Sequence, residues 1–303
     1  MAHFEREGPG YNMGLPVEST FMAFPTPRLD HVVVDARDRM DEAARVYRSL
    51  GFQLTERSKH TLGSVNHLAV FESDYLELLG FEPGLGPVRP DIAAFPVGMN
   101  GLVFSTDQPD ALWEELRARG VPVQEPQSFS RPVNLAEGVT EDARFRVVRL
   151  RPGTASFGRV YFCHHLTPDL VWRPEWQRHP NGALGVARIV IAVRDPAASA
   201  EILSRMFGPG SVQAGADGSW TLTGGTVQVT LLRPQELSRR LGLAAPDPAG
   251  RPDFMAALTI RTASLSQAAR ALEAGGIRRA RIEPQRILIP AADAMNVALE
   301  FVE

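Results

Sequence analysis

Cysteine is nearly absent from this chain: Cys163 stands alone among 303 residues. A single thiol excludes an internal disulfide framework and suits a reducing cytoplasm. No apolar run reaches about 18 residues, so no transmembrane helix is expected. The opening stretch MAHFEREGPGYNMGLP carries acidic residues and no hydrophobic core, which argues against a signal peptide. Charge of one sign is lacking too. Thirty-two basic residues face 35 acidic ones, and the arginines are scattered without a basic stripe, so nucleic acid is not an expected partner. The short Arg cluster at 278–281 reads as a solvated turn. What is present is 44% hydrophobic content, enough at this length to bury two substantial cores.

The chain also repeats itself. Four times an Asp or Thr is followed thirteen residues later by a Gly: Asp38/Gly51, Asp107/Gly120, Asp195/Gly208 and Thr262/Gly275. Side chains of this kind accept from the free N–H groups of a helix's first turn, and glycine ends a helix in the left-handed conformation. The spacing leaves room for roughly three helical turns. Asp41 and Glu42 place negative charge in the first turn of copy one, and Pro196 follows Asp195 directly, where its missing N–H does no harm. Strand-like runs precede each cap: LDHVVVDAR (29–37), GLVFST (101–106), VARIVIAVR (186–194) and MAALTIR (255–261). Further candidate strands follow the glycine, such as FQLTER, NHLAVF and YLELLGF in copy one. The repeating unit is therefore β-α-β-β-β.

Successive caps lie 69, 88 and 67 residues apart, which groups the copies as one with two and three with four. The extra length falls in LTPDLVWRPEWQRHPNG (166–182). Its Trp172 and Trp176 need apolar cover, so this segment reads as an ordered connector and not a flexible linker. The expected organisation is an N-terminal arm (1–26), a domain of modules one and two (27–166), a connector (167–184) and a domain of modules three and four (185–303). The arm is expected to be loose, or a strap along a neighbour.

The runs LDHVVVDARD, LGF and GSVNHLAVFESDYLELLGF resemble the opening module of the glyoxalase-like branch of the vicinal oxygen chelate (VOC) superfamily. The likeness is closest over 28–82, covers 28–166, and extends more weakly through 185–302. It implies an α+β fold with four βαβββ modules paired into two glyoxalase/dioxygenase-like domains, each with a curved open sheet. It further implies a cup for a divalent metal, with ligands on the first and last strands of each module and a substrate bound through vicinal oxygens.

Carried over residue by residue, the first-strand position is His31, Asn100, Arg188 and Met255 in the four copies. The last-strand position is Glu77 in copy one, within Cys163, His164 and His165 in copy two, then Thr230 and Glu300. Only the N-terminal cup offers two imidazoles and a carboxylate: His31, Glu77 and His164 or His165. The pattern match favours His164, although strand alternation lets only one of the two face inward and a one-residue slip would reverse the choice. Such a set suits Zn, Fe, Mn, Ni or Co and leaves an open position for substrate. A fixed cation and a thioether, Arg188 and Met255, cannot build a hard-metal site in the other cup.

Each residue also has a plainer reading. His31 could be a hydrogen-bonded core histidine, and Glu77, amid three leucines, the partner of an Arg, since an unpaired buried carboxylate is costly. His67 is structural, a ligand in place of Glu77, or a proton shuttle, which with Glu77 makes the candidate catalytic pair. His60, Asn100 and Arg173 are candidate substrate contacts; Arg131 and Arg144 are alternatives to Arg173 for pairing a substrate carboxylate. Cys163 on a strand among aromatics reads as inert packing. The segment 124–146, with Pro126, Pro132 and Glu137, is long enough for a lid or substrate wall.

The expected function is a metal-dependent enzyme acting on a small oxygenated substrate, by lyase or isomerase chemistry next to a carbonyl. Extradiol ring cleavage ranks second, because four modules occur in that branch but its metal lies in the C-terminal pair. A glutathione-dependent glyoxalase I would need no degenerate second pair. A metal-free binding or sequestering protein of the same fold is the remaining class; with 8% aromatic residues the chain has little with which to line such a cup. Open sheet edges make a homodimer plausible.

Overall fold

The computed structural model describes residues 1, 23–82, 84, 89–135 and 138–303. The candidate arm falls mostly outside the described residues, as does Glu137. Where the chain resumes, Phe24 lies beneath the Arg119 guanidinium, 3.8 Å from the ring centroid.

Module one comprises β1 (Leu29–Arg37), α1 (Met40–Ser49), β2 (Ser58–Lys59), β3 (Val65–Val70) and β4 (Tyr75–Gly80). After the short α2 (Pro90–Ala93) come β5 (Gly98–Ser105), α3 (Pro109–Ala118), β6 (Gln127–Asn134), β7 (Thr140–Arg149) and β8 (Arg159–His165). Module three is β9 (Ala183–Ala192), α4 (Pro196–Phe207), β10 (Val212–Ala214), β11 (Trp220–Gly224) and β12 (Val227–Leu232). Helix α5 (Pro234–Leu241) then leads to β13 (Phe254–Thr262), α6 (Leu265–Ala274), β14 (Arg281–Glu283), β15 (Arg286–Ile289) and β16 (Ala298–Val302).

The sixteen strands form two eight-stranded sheets of the same order, β2-β3-β4-β1-β5-β8-β7-β6 and β10-β11-β12-β9-β13-β16-β15-β14. Modules meet through their first strands, β1 antiparallel to β5 and β9 antiparallel to β13. Each first strand runs parallel to its own module's last strand. This is the paired-module α+β architecture the repeat implies. The segment 52–57 is not a strand, and 124–146 is mostly the β6–β7 hairpin instead of a loop.

The four helices form, but their starts differ from the expected caps. Asp195 does cap α4, accepting from the Ala198 N–H at 3.1 Å. The fourth cap is Ser264 and not Thr262, whose buried hydroxyl donates to the Asn181 carbonyl at 2.7 Å. Helices α1 and α3 begin after Arg39 and Gln108 with no side-chain cap. Gly51, Gly120 and Gly208 adopt φ of 81°, 71° and 97° past their helices, whereas in the fourth copy Gly276 takes that role at 76°. Gly275 serves close packing: a Cβ there would overlap the Ser49 carbonyl of α1.

One apolar cluster joins the helix-bearing faces of both sheets, where two separate cores were expected. Phe52 stacks on Phe301 at 5.9 Å, and Phe104 meets Phe207 edge-on at 4.7 Å. Polar ties cross the same boundary: Asp74 accepts from the Val186 N–H at 3.0 Å, and Asn181 of the connector donates to the Leu50 carbonyl at 2.9 Å. A second cluster lines the N-terminal cup, where Leu170, Val171, Trp172 and Trp176 of the connector close one side. A third fills the C-terminal cup, where Leu237 and Leu241 of α5 pack on Val190, Leu232 and Leu288. Among the described residues no helix is long and apolar enough to cross a membrane.

Candidate functional site in the N-terminal cup

Strand alternation decides which side chains enter the cup. On β1 the helix face takes Val32, Val34 and Ala36, leaving His31 and Val33 to the cup. On β4 the cup receives Tyr75, Glu77 and Leu79, and on β8 Tyr161 and Cys163. A register shift between Leu29 and His31 marks a bulge at Asp30. Bulges re-aim side chains beside functional sites, and here Asp30 lies under His31 instead of on the opposite face.

The Asp30 carboxylate is 2.6 Å from His31 Nδ1 and 3.0 Å from His165 Nε2. Burial pushes the Asp30 carboxyl up, but His165 and His31, each hydrogen-bonded to it, hold it far below the usual carboxylate range. An anion at that distance makes His31 Nδ1 a donor, and in the neutral ring Nε2 then presents its lone pair to the cup. There Nε2 meets the Tyr161 hydroxyl at 3.2 Å and Glu77 Oε2 at 3.8 Å. The imidazole is clamped by stacking on Tyr75, with centroids 4.3 Å apart and planes 14° from parallel.

Glu77 is fully buried and accepts from Asn66 Nδ2 at 2.8 Å, with His60 Nε2 3.7 Å from its Oε1. Burial pushes its carboxyl up; the facing His60 and His31, the Asn66 amide and Arg159 outweigh it and keep the group below its ordinary range. Burial drives His60 down to about 4 despite Glu77, so it is neutral at pH 7. Burial raises the Tyr161 phenol well above its usual value, so it stays protonated. These groups line an inner cavity of about 30 Å³, room for about one water. Arg89, Arg149, Arg159 and Tyr161 form its neck and open onto an outer cavity of about 770 Å³.

The structure thus brings His31, His60 and Glu77 together and sets His67, His164 and Arg173 apart from them. His67 points to the helix face of β3, between Val65 and Ala69, where its Nδ1 donates to the Thr55 carbonyl at 2.8 Å. His67 therefore lies outside the cup that holds His31 and Glu77. His164, the favoured ligand, points away from the cup, with Nδ1 3.0 Å from the Thr106 carbonyl; alternation turns His165 inward in its place. Arg173 lies on the connector, paired with Glu175 at 2.5 Å and set over Trp176, and does not line the inner cavity. Asn100 sits in a second bulge, donating to Asp35 at 3.1 Å and accepting from Arg159 at 2.9 Å, and reaches the neck only through Arg159. Arg131 is buried against Phe145, close enough to Tyr75, Glu77 and His60 to interact with them electrostatically, and its Nη2 has no hydrogen-bond partner among the described residues, whereas Arg144 is exposed. Cys163 is buried, and burial pushes its thiol well up, as befits inert packing.

Sequence reasoning missed Asp30, Tyr161, Arg149 and Arg159. The acid directly before His31 in LDH was a legible signal, since an Asp inside a buried strand needs partners. Tyr161 and Arg159 share the two-residue period of β8, but which parity faces inward depends on pairing not written in the strand itself.

A divalent metal can be tested against these donors. The imidazole of His31, oriented by a carboxylate in the manner common behind metal-bound histidines, and the anionic Glu77 fit as two ligands. The third position, on β8, holds the neutral phenol of Tyr161. Among the described residues one trio of His, Cys, Asp and Glu has all its ligand atoms within 4.8 Å of one another, Asp30, Cys163 and His165, and its Asp30 is already engaged by both histidines. The residues therefore fit a cation held by two protein ligands and completed by water or substrate.

Comparison with known proteins agrees with this architecture. A family model described as a glyoxalase-like domain matches residues 29–207, well over half the chain. The chain belongs to that family, a branch of the VOC superfamily. A hypothetical protein from Staphylococcus aureus superposes with a TM-score of 0.65 at 11% identity, covering 90% of this chain and 98% of its own. A variant of 4-hydroxymandelate synthase from Streptomyces coelicolor gives 0.59 at 11%, covering 92% of each chain. A variant of homoprotocatechuate 2,3-dioxygenase from B. fuscum gives 0.55 at 12%, covering 94% of this chain and 73% of that one. At such identities the likeness is one of fold. No curated protein matches the chain.

Proposed function

We propose that the N-terminal cup is the active centre of a metal-dependent VOC enzyme acting on a small oxygenated molecule, by proton transfer next to a carbonyl. The observation that carries this reading is the convergence of His31 Nε2, its ring backed at Nδ1 by Asp30, on the buried anionic Glu77 at 3.8 Å. His31 and Glu77 would hold the divalent ion. When bound, it would supply Lewis-acid stabilisation of negative charge developing on adjacent substrate oxygens. Tyr161, a phenol throughout the physiological range, would donate a hydrogen bond to such an oxygen. His60, a neutral imidazole supported by Ser64 at 3.0 Å, would accept or return the proton in place of His67.

The C-terminal cup takes no part. Its Glu300 accepts from Arg286 at 2.6 Å and Thr259 at 2.9 Å, and α5 fills the hollow. One observation favours a second reading, a non-catalytic binding protein: the Tyr161 hydroxyl already satisfies the His31 Nε2 lone pair. Metal analysis of the protein purified without a His tag separates the two. The enzyme reading expects about one equivalent of metal per chain, lost in His31→Ala, lowered in Glu77→Gln and unchanged in Glu300→Gln. Equal loss in both glutamate variants, or no metal at all, refutes it.

A further inference from the structure

We propose that this cup takes a small organic acid and reads its carboxylate with Arg149 and Arg159 at the neck, an inference that rests on the cup being the functional centre. Three guanidiniums, from Arg89, Arg149 and Arg159, line the passage between the inner and outer cavities. Arg89 is neutralised by Asp91, through bonds of 3.1 and 2.6 Å. Arg149 is different. Its Nη1 donates to Gln127 at 2.7 Å, and it makes no ion pair among the described residues. Arg159 spends Nη2 on Asn100, lies 3.9 Å from Asp91 through Nη1, and leaves its buried Nε without a partner.

Guanidiniums this enclosed are costly unless an anion joins them. The Tyr161 and Phe129 rings flank the Arg149 guanidinium at 5.7 and 6.0 Å and hold its plane. The Asp35–Asn100–Arg159 chain of hydrogen bonds fixes the second fork from β1. Two pre-set planar forks match a carboxylate. Arg89, Arg149, Arg151 and Arg159 outnumber Asp91 and Glu77 along the two cavities, an excess of positive charge that suits an anion. Beyond the neck, Leu62, Phe95, Leu150 and Val160 offer an apolar wall for the body of the acid. A carboxylate held at the neck directs the neighbouring carbon toward Tyr161, His31 and Glu77, which line the same inner cavity.

Isothermal titration of the full chain, stripped of metal with EDTA, tests this. The probes are pyruvate, benzoate and phenylacetate, each beside its methyl ester, and phenyl phosphate. At least one acid should bind about tenfold more tightly than its ester. Arg149→Gln should cost a similar factor and Arg149→Lys should recover part of it, with melting temperatures near that of the parent. Binding of ester and acid alike, no binding of any acid, indifference to Arg149→Gln, or preference for phenyl phosphate would each overturn the assignment. Because the titrations run without metal, and can be repeated in His31→Ala, failure of the metal reading leaves this result standing, and failure here leaves metal content unaffected.

Discussion

Asp30→Asn removes the one charge shared by two buried imidazoles. In the parent, Asp30 Oδ1 lies 2.6 Å from His31 and 3.0 Å from His165. Hydrogen bonds to a charged group contribute about 1.5–3 kcal/mol each. Part of that is offset because the carboxylate no longer has to be desolvated. The net loss should be about 2–4 kcal/mol, read as a lower urea midpoint at unchanged slope. The pH dependence has a definite sign. A carboxyl depressed in the folded state contributes fully above its unfolded value of about 3.9 and loses that contribution as pH falls through the folded value. The gap between parent and variant should therefore be wide at neutral pH and close below about pH 4. Local chemistry should change as well. An amide can donate to His31 Nδ1, which moves the ring proton to Nε2, away from the orientation a metal needs. Side-chain ¹⁵N correlation spectra report that tautomer directly, and metal affinity should fall about 10–100-fold. A His31 that already carries its proton on Nε2 in the parent, or a variant as stable as the parent at pH 7, would refute the reasoning.

Two further outcomes follow from the boundary between the sheets. Asp74 is buried against Val186, and burial pushes its carboxyl up to about 7. The folded state then holds a proton that the unfolded chain has released, so stability declines as pH rises from about 4 to 7. Asp74→Asn should abolish that decline and be more stable than the parent at pH 8 by on the order of 2–4 kcal/mol; an equal difference at pH 4 and pH 8 in thermal melts would contradict it. Phe301→Ala empties a fully buried site stacked on Phe52. It should cost about 3–5 kcal/mol, and because the cluster is continuous, calorimetry should show one transition lowered as a whole, not one domain melting early.

The periodic signals were strong where local chemistry decides. Residues 29–37 form β1 as read, and four helices end near the four glycines, because strand alternation and helix termination are written within a dozen residues. His31 and Glu77 were visible for the same reason: each sits at a fixed offset in a repeated unit. Properties set by pairing were not. The inward parity of His164 and His165 depends on how β8 seats against β5 and β7, and Asp30 enters the cup through a bulge. Arg149 and Arg159 were invisible as a pair, since they flank the β7–β8 connection and meet Arg89 only after distant segments close on one neck. Helix α5 fell outside the repeat, so the filling of the rear cup was not anticipated.

That helix occupies the link between modules three and four, residues 233–253, whereas the described residues of the corresponding front link, 81–97, carry the one-turn α2. Two halves with the same strand order thus differ in what the described part of the bridging stretch sets against the cup: Leu237 and Leu241 of α5 in the rear, Ile92 of α2 in front. Hollowness in this architecture is a property of the joint and not of the sheet.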